Sequence, residues 1–365
     1  MGIINFTRRA CARPEVFKYN VRYYFFPSTI IKPNYDRPFN FSNYNKFVLL
    51  EDVNDGGRYG NIFFRVASLY GIGKQLERVA CLDRTFNDKF RSEFRSVFPN
   101  LHNYVLLDNC WTNNARVVKF PNMIWNYIDV EKLEKYDYHH HIRLYTGVLE
   151  CHMFFHKFRP EISKMFEFSR AFEQKIDKLA DRIFDDDKLP KICAHIRRTD
   201  FFHDRHPLIP SEQPFTVKAL SYLVRKVTRE RDLDKVSLLL LNDDVGFTNI
   251  VADEVKDENK RVKKVFIPQN LQPIEDMGLA IKHCDYFVLT SSGSTFGWWI
   301  AYLLPDEKQR NVYYRSLFFK RHLAYVLEWF NEAEFVPPLW NRLVHDTEHD
   351  RVFVQNRSIY PNLVN

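Results

Sequence analysis

The sequence predicts an α/β protein of two domains, each with a parallel sheet. The 365 residues are too many for one small domain, and 45% of them are hydrophobic, which is ample for packed cores. Strand-like and helix-like segments alternate along the chain, a pattern typical of parallel strands joined by crossover helices. Four strand–helix units follow one another in the second half, which predicts a doubly wound sheet there.

In the first half, the alternation begins after an irregular extension over residues 1–45, which is rich in Tyr, Phe, Asn and Pro. "KFVLLE" (46–51) predicts a buried strand, and the glycine-rich loop "DVNDGGRYGN" leads into a helix from Asn61 to about Leu76. "RVACLD" predicts a second strand and "NDKFRSEFRSVF" a second helix. One long amphipathic helix is predicted over 161–184.

In the second half, the strands are "KICAHI", "VSLLLL", "KKVFIP" and "YFVLT", and each is followed by a helical pattern. "VSLLLL" is so apolar that it predicts a strand in the middle of a sheet. "DDDKLPK" breaks the preceding helix, so we place the domain junction there. The predicted organisation is an N-terminal domain over 46–187, a C-terminal domain over 188–330 and a tail over 331–365.

Three polar clusters follow predicted strands of the C-terminal domain. Ligands of open parallel sheets bind at the carboxyl ends of the strands, so we expect the three clusters to face one crevice. The clusters are His195, Arg197, Arg198 and Asp200 in "HIRRTD"; Asn242, Asp243 and Asp244 in "NDD"; and Ser292, Ser294 and Thr295 in "TSSGST".

These clusters have the chemistry of a nucleotide diphosphate site. Arg197 and Arg198 carry planar guanidiniums that suit phosphate oxygens, and the serine–threonine loop precedes a helix, whose N-terminus attracts anions. Asp243 or Asp244 could accept hydrogen bonds from a base or a ribose. The alternatives are an ion pair of the two arginines with Asp200 and another carboxylate, and a plain capping turn at "NDD". The sequence contains no P-loop, no G-x-G-x-x-G and no G-x-S-x-G.

We expect no metal site. "YHHHI" (138–142) invites a metal, but adjacent imidazoles point in different directions, which favours a solvated turn. "DDD" (185–187) stands between a helix and a proline, which favours a hydrated linker. The six cysteines show no C-x-x-C spacing, and the apolar surroundings of Cys193 and Cys284 favour reduced core thiols.

The charge pattern does not favour a nucleic-acid partner. The net charge of +7 comes from 53 basic and 46 acidic residues, and no run of five like charges occurs. No apolar stretch approaches the ~18 residues that span a bilayer, and the start of the chain does not resemble a signal peptide. We therefore expect membrane association only if an upstream anchor exists.

Four segments resemble glycosyltransferase family 11, the α-1,2-fucosyltransferases, over about residues 46–305. They are "GGRYGNIFFRVASLYGIGK", "HIRRTD", "LLLLNDD" and "CDYFVLTSSGSTFGWWIAYL". The sequence departs from the family pattern at Ile62, where glutamine is usual, and at Thr199, where glycine is usual. Gly293 and Gly297 stand in the last segment where the family has polar residues.

The resemblance implies a GT-B-like fold, in which two Rossmann-like, doubly wound domains face a cleft. It also implies inverting transfer of L-fucose from GDP-β-L-fucose to a galactose hydroxyl of a glycan, with no cofactor and no obligatory metal. The alternative is a catalytically silent GDP- or carbohydrate-binding homologue. The resemblance implies the Golgi lumen, and the cytoplasm is the alternative for a chain without a visible anchor.

The resemblance also assigns roles to residues. Arg198 is expected as the chief phosphate contact with Arg197 as its partner, while Asp200 acts as the general base or braces the arginines. His195 orients the loop or contacts the nucleotide, and Gly57 and Asn61 of the glycine loop are expected to bind substrate. Of Trp298 and Trp299, at least one is expected to pack in the core.

Overall fold

The protein folds into two α/β units, each with its own sheet. The computed structural model describes residues 46–50, 58–82, 88–107, 114–120, 125–147, 149–320 and 330–355. The predicted irregular extension over 1–45 lies outside the described residues. Over the described residues one sheet has four strands and the other has seven.

All strand pairs of the first sheet are parallel, in the order β2-β1-β4-β3. Its strands are β1 (Phe47–Leu50), β2 (Val79–Cys81), β3 (Arg116–Lys119) and β4 (His141–Tyr145). Helix α1 (Tyr59–Gln75) joins β1 to β2, and α2 (Asp88–Val97) follows β2. The two helices pack together, with the ring centroids of Phe63 and Phe94 5.2 Å apart.

The second sheet has the order β11-β10-β9-β8-β5-β6-β7, and only the pairing of β10 with β11 is antiparallel. Its strands are β5 (Lys191–Ile196), β6 (Val236–Asn242), β7 (Val262–Phe266), β8 (Tyr286–Leu289), β9 (Val312–Arg315), β10 (Asn341–Asp346) and β11 (Arg351–Gln355). The helices are α3 (Arg159–Met165), α4 (Arg170–Phe184), α5 (Gln213–Glu230), α6 (Val245–Glu258), α7 (Pro273–His283), α8 (Thr295–Leu303) and α9 (Glu332–Phe335).

Helices cover both faces of the second sheet. On β5, Ile192 and Ala194 pack in the cluster that holds the apolar side chains of α5 and α6. Cys193 points to the opposite face, into the cluster of α4, α7 and α8. This alternation follows from the two-residue period of a strand. The predicted α/β fold with two units, each built on a mainly parallel sheet, is therefore confirmed.

An aromatic core joins the two units through α1 and α8. The ring centroid of Phe64 lies 4.5 Å from that of Trp298 and 5.3 Å from that of Trp299, and the ring centroids of Phe63 and Trp299 are 5.4 Å apart. Both tryptophans are fully buried, and Trp298 Nε1 donates to the carbonyl of Phe335 at 2.9 Å. The expectation that at least one tryptophan packs in the core is confirmed for both.

The prediction of one long helix over 161–184 is wrong, because the chain forms α3 and α4 with a break between them. The hydroxyl of Ser169 accepts from the backbone N–H of Phe172 at 3.3 Å and so caps the start of α4. The break places Phe166 against Phe63 and Trp299 in the core between the units.

The segment over 331–365, predicted as a tail, supplies two strands of the second sheet. Strand β10 pairs with β9, and β11 pairs with β10. Leu343 of β10 is fully buried, which explains why the strand pair is held against the body. The division between residues 187 and 188 stays a prediction, since one hydrophobic cluster contains residues of both units.

Three local expectations are also corrected. Cys193 and Cys284 form a disulfide instead of staying reduced, because the pairing of β5 with β8 brings their Cα atoms to 5.7 Å. "YHHHI" is not a solvated turn throughout, since His139 is buried and His141 begins the inner strand β4. The third expectation, a hydrated linker at "DDD" (185–187), is wrong for Asp187. This residue is buried, and its carboxylate accepts from the backbone N–H of Leu189 at 3.4 Å.

Replacing Gly60 by alanine should destabilise the protein by about 1–3 kcal/mol, because a Cβ there would lie 2.5 Å from backbone atoms of Thr295 and Phe296. Gly246 is the matched control: it is also the second residue of a helix, but a Cβ there meets only a carboxylate oxygen at 3.8 Å. Gly246→Ala should be neutral or stabilise by up to about 1 kcal/mol. Urea unfolding compares the two, and equal effects would contradict the close approach of α1 and α8.

Candidate active site

The three predicted polar clusters meet at one edge of the second sheet. Strands β8, β5 and β6 are parallel neighbours, so the residues that follow them lie side by side at their carboxyl ends. The N-terminus of α6 follows β6, and the N-terminus of α8 follows the loop after β8. This edge is where parallel sheets bind ligands, and it is the candidate active site.

Carboxylates hold both arginines that follow β5. Arg197 Nη2 donates to Asp200 Oδ2 at 2.7 Å, and Arg197 Nη1 lies 3.1 Å from Asp243 Oδ2. Arg198 Nε donates to Asp244 Oδ2 at 3.0 Å, and the Arg198 backbone N–H donates to Asp243 Oδ1 at 2.8 Å. The ion-pair alternative therefore describes these contacts correctly. The ion pairs lie at the carboxyl edge of the sheet. The side chain of Arg197 is 15% exposed and that of Arg198 is 17% exposed.

Arg198 is clamped, yet one of its nitrogen atoms is left over. Its guanidinium carbon lies 3.9 Å from the ring centroid of Phe247 and 4.9 Å from that of Phe202. Its Nη1 donates to the carbonyl of Ser211 at 2.8 Å. Within the described residues no partner is found for Nη2. Arg198 therefore holds a fixed pair of N–H donors ready for a ligand.

The charges at this edge are nearly balanced. Two guanidiniums face the carboxylates of Asp200, Asp243 and Asp244, and Arg58 at the start of α1 adds a third guanidinium. Arg58 Nη1 lies 3.7 Å from Asp200 Oδ2, and its side chain is 68% exposed. Arg58 is a residue that sequence reasoning missed, although it stands inside the glycine-loop segment.

Asp200 forms ion pairs with Arg197 and Arg58. Burial alone would raise its pKa, but the hydrogen bond and the charge of Arg197, helped by Arg58, hold that pKa below the usual value. A carboxylate with a lowered pKa accepts a proton weakly at neutral pH. Of the two roles predicted for Asp200, the geometry favours bracing.

His195 lies beneath the site. It is 5% exposed, and burial, with the charge of Arg197, lowers its pKa to about 4. Its ring packs on Gly297 of α8, where a Cβ would lie 2.6 Å from Nδ1. The backbone carbonyl of His195 accepts from the Thr290 hydroxyl at 2.8 Å. This position fits the predicted role of orienting the loop.

The hydroxyls of the serine–threonine loop mostly bind the protein itself. Ser292 donates to the carbonyl of Arg315 at 2.7 Å and is buried, which makes it a support of the loop. Ser294 is the N-cap residue of α8 and its side chain makes no capping bond. Thr295 donates to Asn61 Oδ1 at 2.8 Å, so these two predicted substrate ligands bind each other across the two units.

The N-termini of α1 and α8 converge at this point. Gly60 of α1 lies directly against the backbone of Thr295 and Phe296. Neither helix start has a side-chain cap or an acidic residue in its first turn, whereas Asp244 caps α6. The partial positive charge of two helix N-termini therefore points into the same space, as an anion site requires.

Other predicted residues are less informative. Asn242 ends β6, where its Nδ2 lies 3.4 Å from the carbonyl of Leu240, and Gly57 lies outside the described residues. Ser211 was missed: its buried hydroxyl accepts from the Arg197 N–H at 2.9 Å and shares a 2.6 Å hydrogen bond with Thr290. No sequence pattern marks it, because it lies in an irregular stretch before α5.

Two kinds of feature are absent from the described part of the chain. It contains no cluster of three or more His, Cys, Asp or Glu side chains arranged to hold a metal ion. It also contains no helix that is long and apolar enough to cross a bilayer.

Comparison with known proteins identifies the family. The model of glycosyl transferase family 11 matches residues 42–333. The chain belongs to glycosyl transferase family 11. It is therefore a glycosyltransferase, and the predicted family is confirmed.

The chain is similar to named proteins of a nematode and a rat. The galactoside 2-alpha-L-fucosyltransferase of Caenorhabditis elegans is 26% identical over 321 residues, which cover 80% of this chain and 75% of that protein. The galactoside alpha-(1,2)-fucosyltransferase 2 of Rattus norvegicus is 24% identical over 309 residues, 79% of this chain and 78% of that protein. Among solved structures, NodZ alpha-1,6-fucosyltransferase soaked with GDP-fucose matches with a TM-score of 0.45 and 13% identity, covering 86% of this chain and 99% of that one.

The pH dependence of stability should show the buried histidine. The pKa of His195 is about 4 in the folded protein and 6.5 in the unfolded chain. Between these two pH values the unfolded chain therefore binds a proton at His195 and the folded protein does not. The melting temperature should fall as the pH drops through this window, and less steeply in His195→Asn. The exposed His102 is the control, and His102→Asn should leave the slope unchanged. Equal slopes in all three proteins would contradict a buried neutral His195.

Proposed function

We propose that this protein is an inverting fucosyltransferase that moves L-fucose from GDP-β-L-fucose to a galactose hydroxyl of a glycan, in α-1,2 linkage. One structural observation carries the proposal: the uncapped N-termini of α1 and α8 meet at the sheet edge that also carries Arg198, whose Nη2 has no partner within the described residues. The names of the similar proteins supply the fucose, the galactoside and the linkage.

The diphosphate of the donor sits at the N-terminus of α8. The backbone N–H groups there, together with those at the start of α1, supply fixed partial positive charge. Arg198 Nη2 donates to an oxygen of the β-phosphate, whose negative charge grows as the bond to fucose breaks. The sugar faces the first unit, where Arg58 and Asn61 lie.

The carboxylates set how the arginines work. Because Asp200, Asp243 and Asp244 already neutralise Arg197 and Arg198, the site does not rely on a large net positive charge. It relies on donors held in fixed directions, which need little rearrangement when the leaving group becomes charged. Arg197 acts mainly as a partner of Asp200 and Asp243. Arg58, which is exposed and lies 3.7 Å from Asp200, is the cation that turns towards the leaving phosphate.

The second candidate is a catalytically silent GDP- or carbohydrate-binding homologue. The pairing of both guanidiniums with carboxylates favours it, as do the departures from the family pattern. Two of these departures make contacts within the site. Thr199 donates to Asp243 Oδ2 at 2.7 Å, and Gly293 packs so closely on Leu208 that a Cβ on residue 293 would lie 2.5 Å from the leucine side chain. A transfer assay with GDP-fucose and a panel of β-galactosides separates the two candidates, since the silent homologue binds GDP without turnover.

We propose an oxidising compartment, the Golgi lumen, as the place where the protein works. The Cys193–Cys284 disulfide lies in the interior of the second unit, and both cysteines are fully buried. Buried disulfides of this kind are common in secretory proteins and rare in the cytosol. Labelling of free thiols after unfolding, in protein taken from the native cell without a reductant, tests the proposal. Labelled thiols at both Cys193 and Cys284 would show that the disulfide is not formed in the cell and would contradict the proposal.

Arg198→Ala should weaken binding of GDP at least about tenfold, because a charge-assisted hydrogen bond to phosphate is lost. The affinity of Arg198→Lys for GDP should lie between those of the wild type and Arg198→Ala, since lysine keeps the positive charge but lacks the planar guanidinium. Lys218→Ala is the matched control, since Lys218 lies on α5 and also forms ion pairs with carboxylates, those of Glu258 and Asp350.

Calorimetric titration with GDP and thermal unfolding of the same variants give the answer. Lys218→Ala should bind GDP like the wild type. An Arg198→Ala protein that unfolds more easily but keeps its affinity for GDP would show that the arginine is only a structural ion-pair partner.

A further inference from the structure

Phe202 is an aromatic side chain with an exposed face at the edge of the candidate site. Its exposed fraction of 63% is the largest among the large hydrophobic side chains of the described residues. It ends the 3-10 turn Asp200–Phe202, and its backbone N–H donates to the carbonyl of Arg198 at 2.8 Å. The ring is therefore held by a fixed turn directly beside Arg198.

The surroundings of Phe202 form a stack of planar groups. The guanidinium of Arg198 contacts the ring of Phe247 on α6 and the ring of Phe202. Arginine packs well on aromatic faces, so the three groups stabilise one another. The part of the Phe202 ring that Arg198 does not cover is exposed to solvent and offers a further planar surface.

The position of Phe202 in the sheet points to the nucleoside end of the donor. Strands β8, β5 and β6 are neighbours, so the ends of β8 and β6 lie about 10 Å apart. A diphosphate at the start of α8, which follows β8, leaves its nucleoside to extend over β5 towards β6. On the other side of β8, Arg315 at the end of β9 is buried and paired with Glu212.

A polar group suited to a nucleoside lies on the same side. The side chain of Asp244 is 35% exposed, and its two oxygens accept from Arg198 Nε and from the backbone N–H of Phe247. A carboxylate oxygen can accept a second hydrogen bond. Asp200, by contrast, faces Arg58 and the first unit, where the sugar and the acceptor are placed.

We propose that the exposed face of Phe202 stacks on the nucleobase of the donor, while Asp244 accepts a hydrogen bond from the nucleoside. The inference rests on the proposed function for the identity of the donor, and it adds a specificity-determining residue to it. Stacking of a base on an aromatic side chain is strong enough to measure when the ring is removed.

The test is calorimetric titration of wild type, Phe202→Ala and Phe202→Tyr with GDP, UDP and inorganic pyrophosphate. Phe202→Ala should bind GDP about tenfold more weakly than the wild type. Its loss of affinity for UDP should be smaller, because a purine offers the larger stacking surface. Its affinity for pyrophosphate should not change, and Phe202→Tyr should bind GDP like the wild type. Tyr138→Ala, which removes another aromatic ring with 59% exposure, should change nothing.

Three results would overturn the inference. Unchanged affinity of Phe202→Ala for GDP would show that the base is elsewhere. An equal loss for GDP and pyrophosphate would show that the ring only positions Arg198. A raised KM for the acceptor with unchanged GDP affinity would assign the ring to the acceptor.

The inference and the proposed function fail in different ways. Wild-type protein that binds GDP but transfers no fucose refutes the proposed function, and the Phe202 comparison still decides where the base lies. Wild-type protein that transfers fucose while Phe202→Ala binds GDP normally refutes only the inference. Wild-type protein that binds neither nucleotide refutes both.

Discussion

The close packing of α1 on α8 is the constraint on which both the core and the candidate site depend. Gly60 allows the two helix starts to touch, and Phe63 and Phe64 then meet Trp298 and Trp299 in one aromatic core. The same contact directs both helix N-termini at the sheet edge that carries the arginines. A wider separation would therefore weaken the core and remove part of the anion site together.

The ion pairs beside these helix starts change how catalysis by arginine should be understood here. A bare pair of guanidiniums would repel each other and lose their directions. Held by three aspartates and by Ser211, Arg197 and Arg198 are fixed before a ligand arrives, and the shortfall in net positive charge is met by backbone N–H groups. Fixed dipoles are well suited to a leaving group whose charge appears only during the reaction.

The sequence was a good guide wherever the signal is local. "VSLLLL" is an inner strand, β6, whose side chains are buried on both faces, and "HIRRTD" begins in β5 and continues past its end into the site. Signals that depend on contacts between distant segments could not be predicted. Cys193 pairs with Cys284 only because β5 lies beside β8, and Ser211 supports Arg197 from an irregular stretch. Strand β10 was missed because a short strand with one fully buried residue has no clear period.

The shared aromatic core also limits protein engineering of this family member. Chimeras that exchange one half for that of a relative would have to match the ring surfaces of Phe63 and Phe64 to those of Trp298 and Trp299. A fragment that keeps only the second half would expose two indoles to water, and exposed aromatic surface of this kind favours aggregation. Changes of acceptor preference are therefore better sought by replacing single loops at the rim than by exchanging halves.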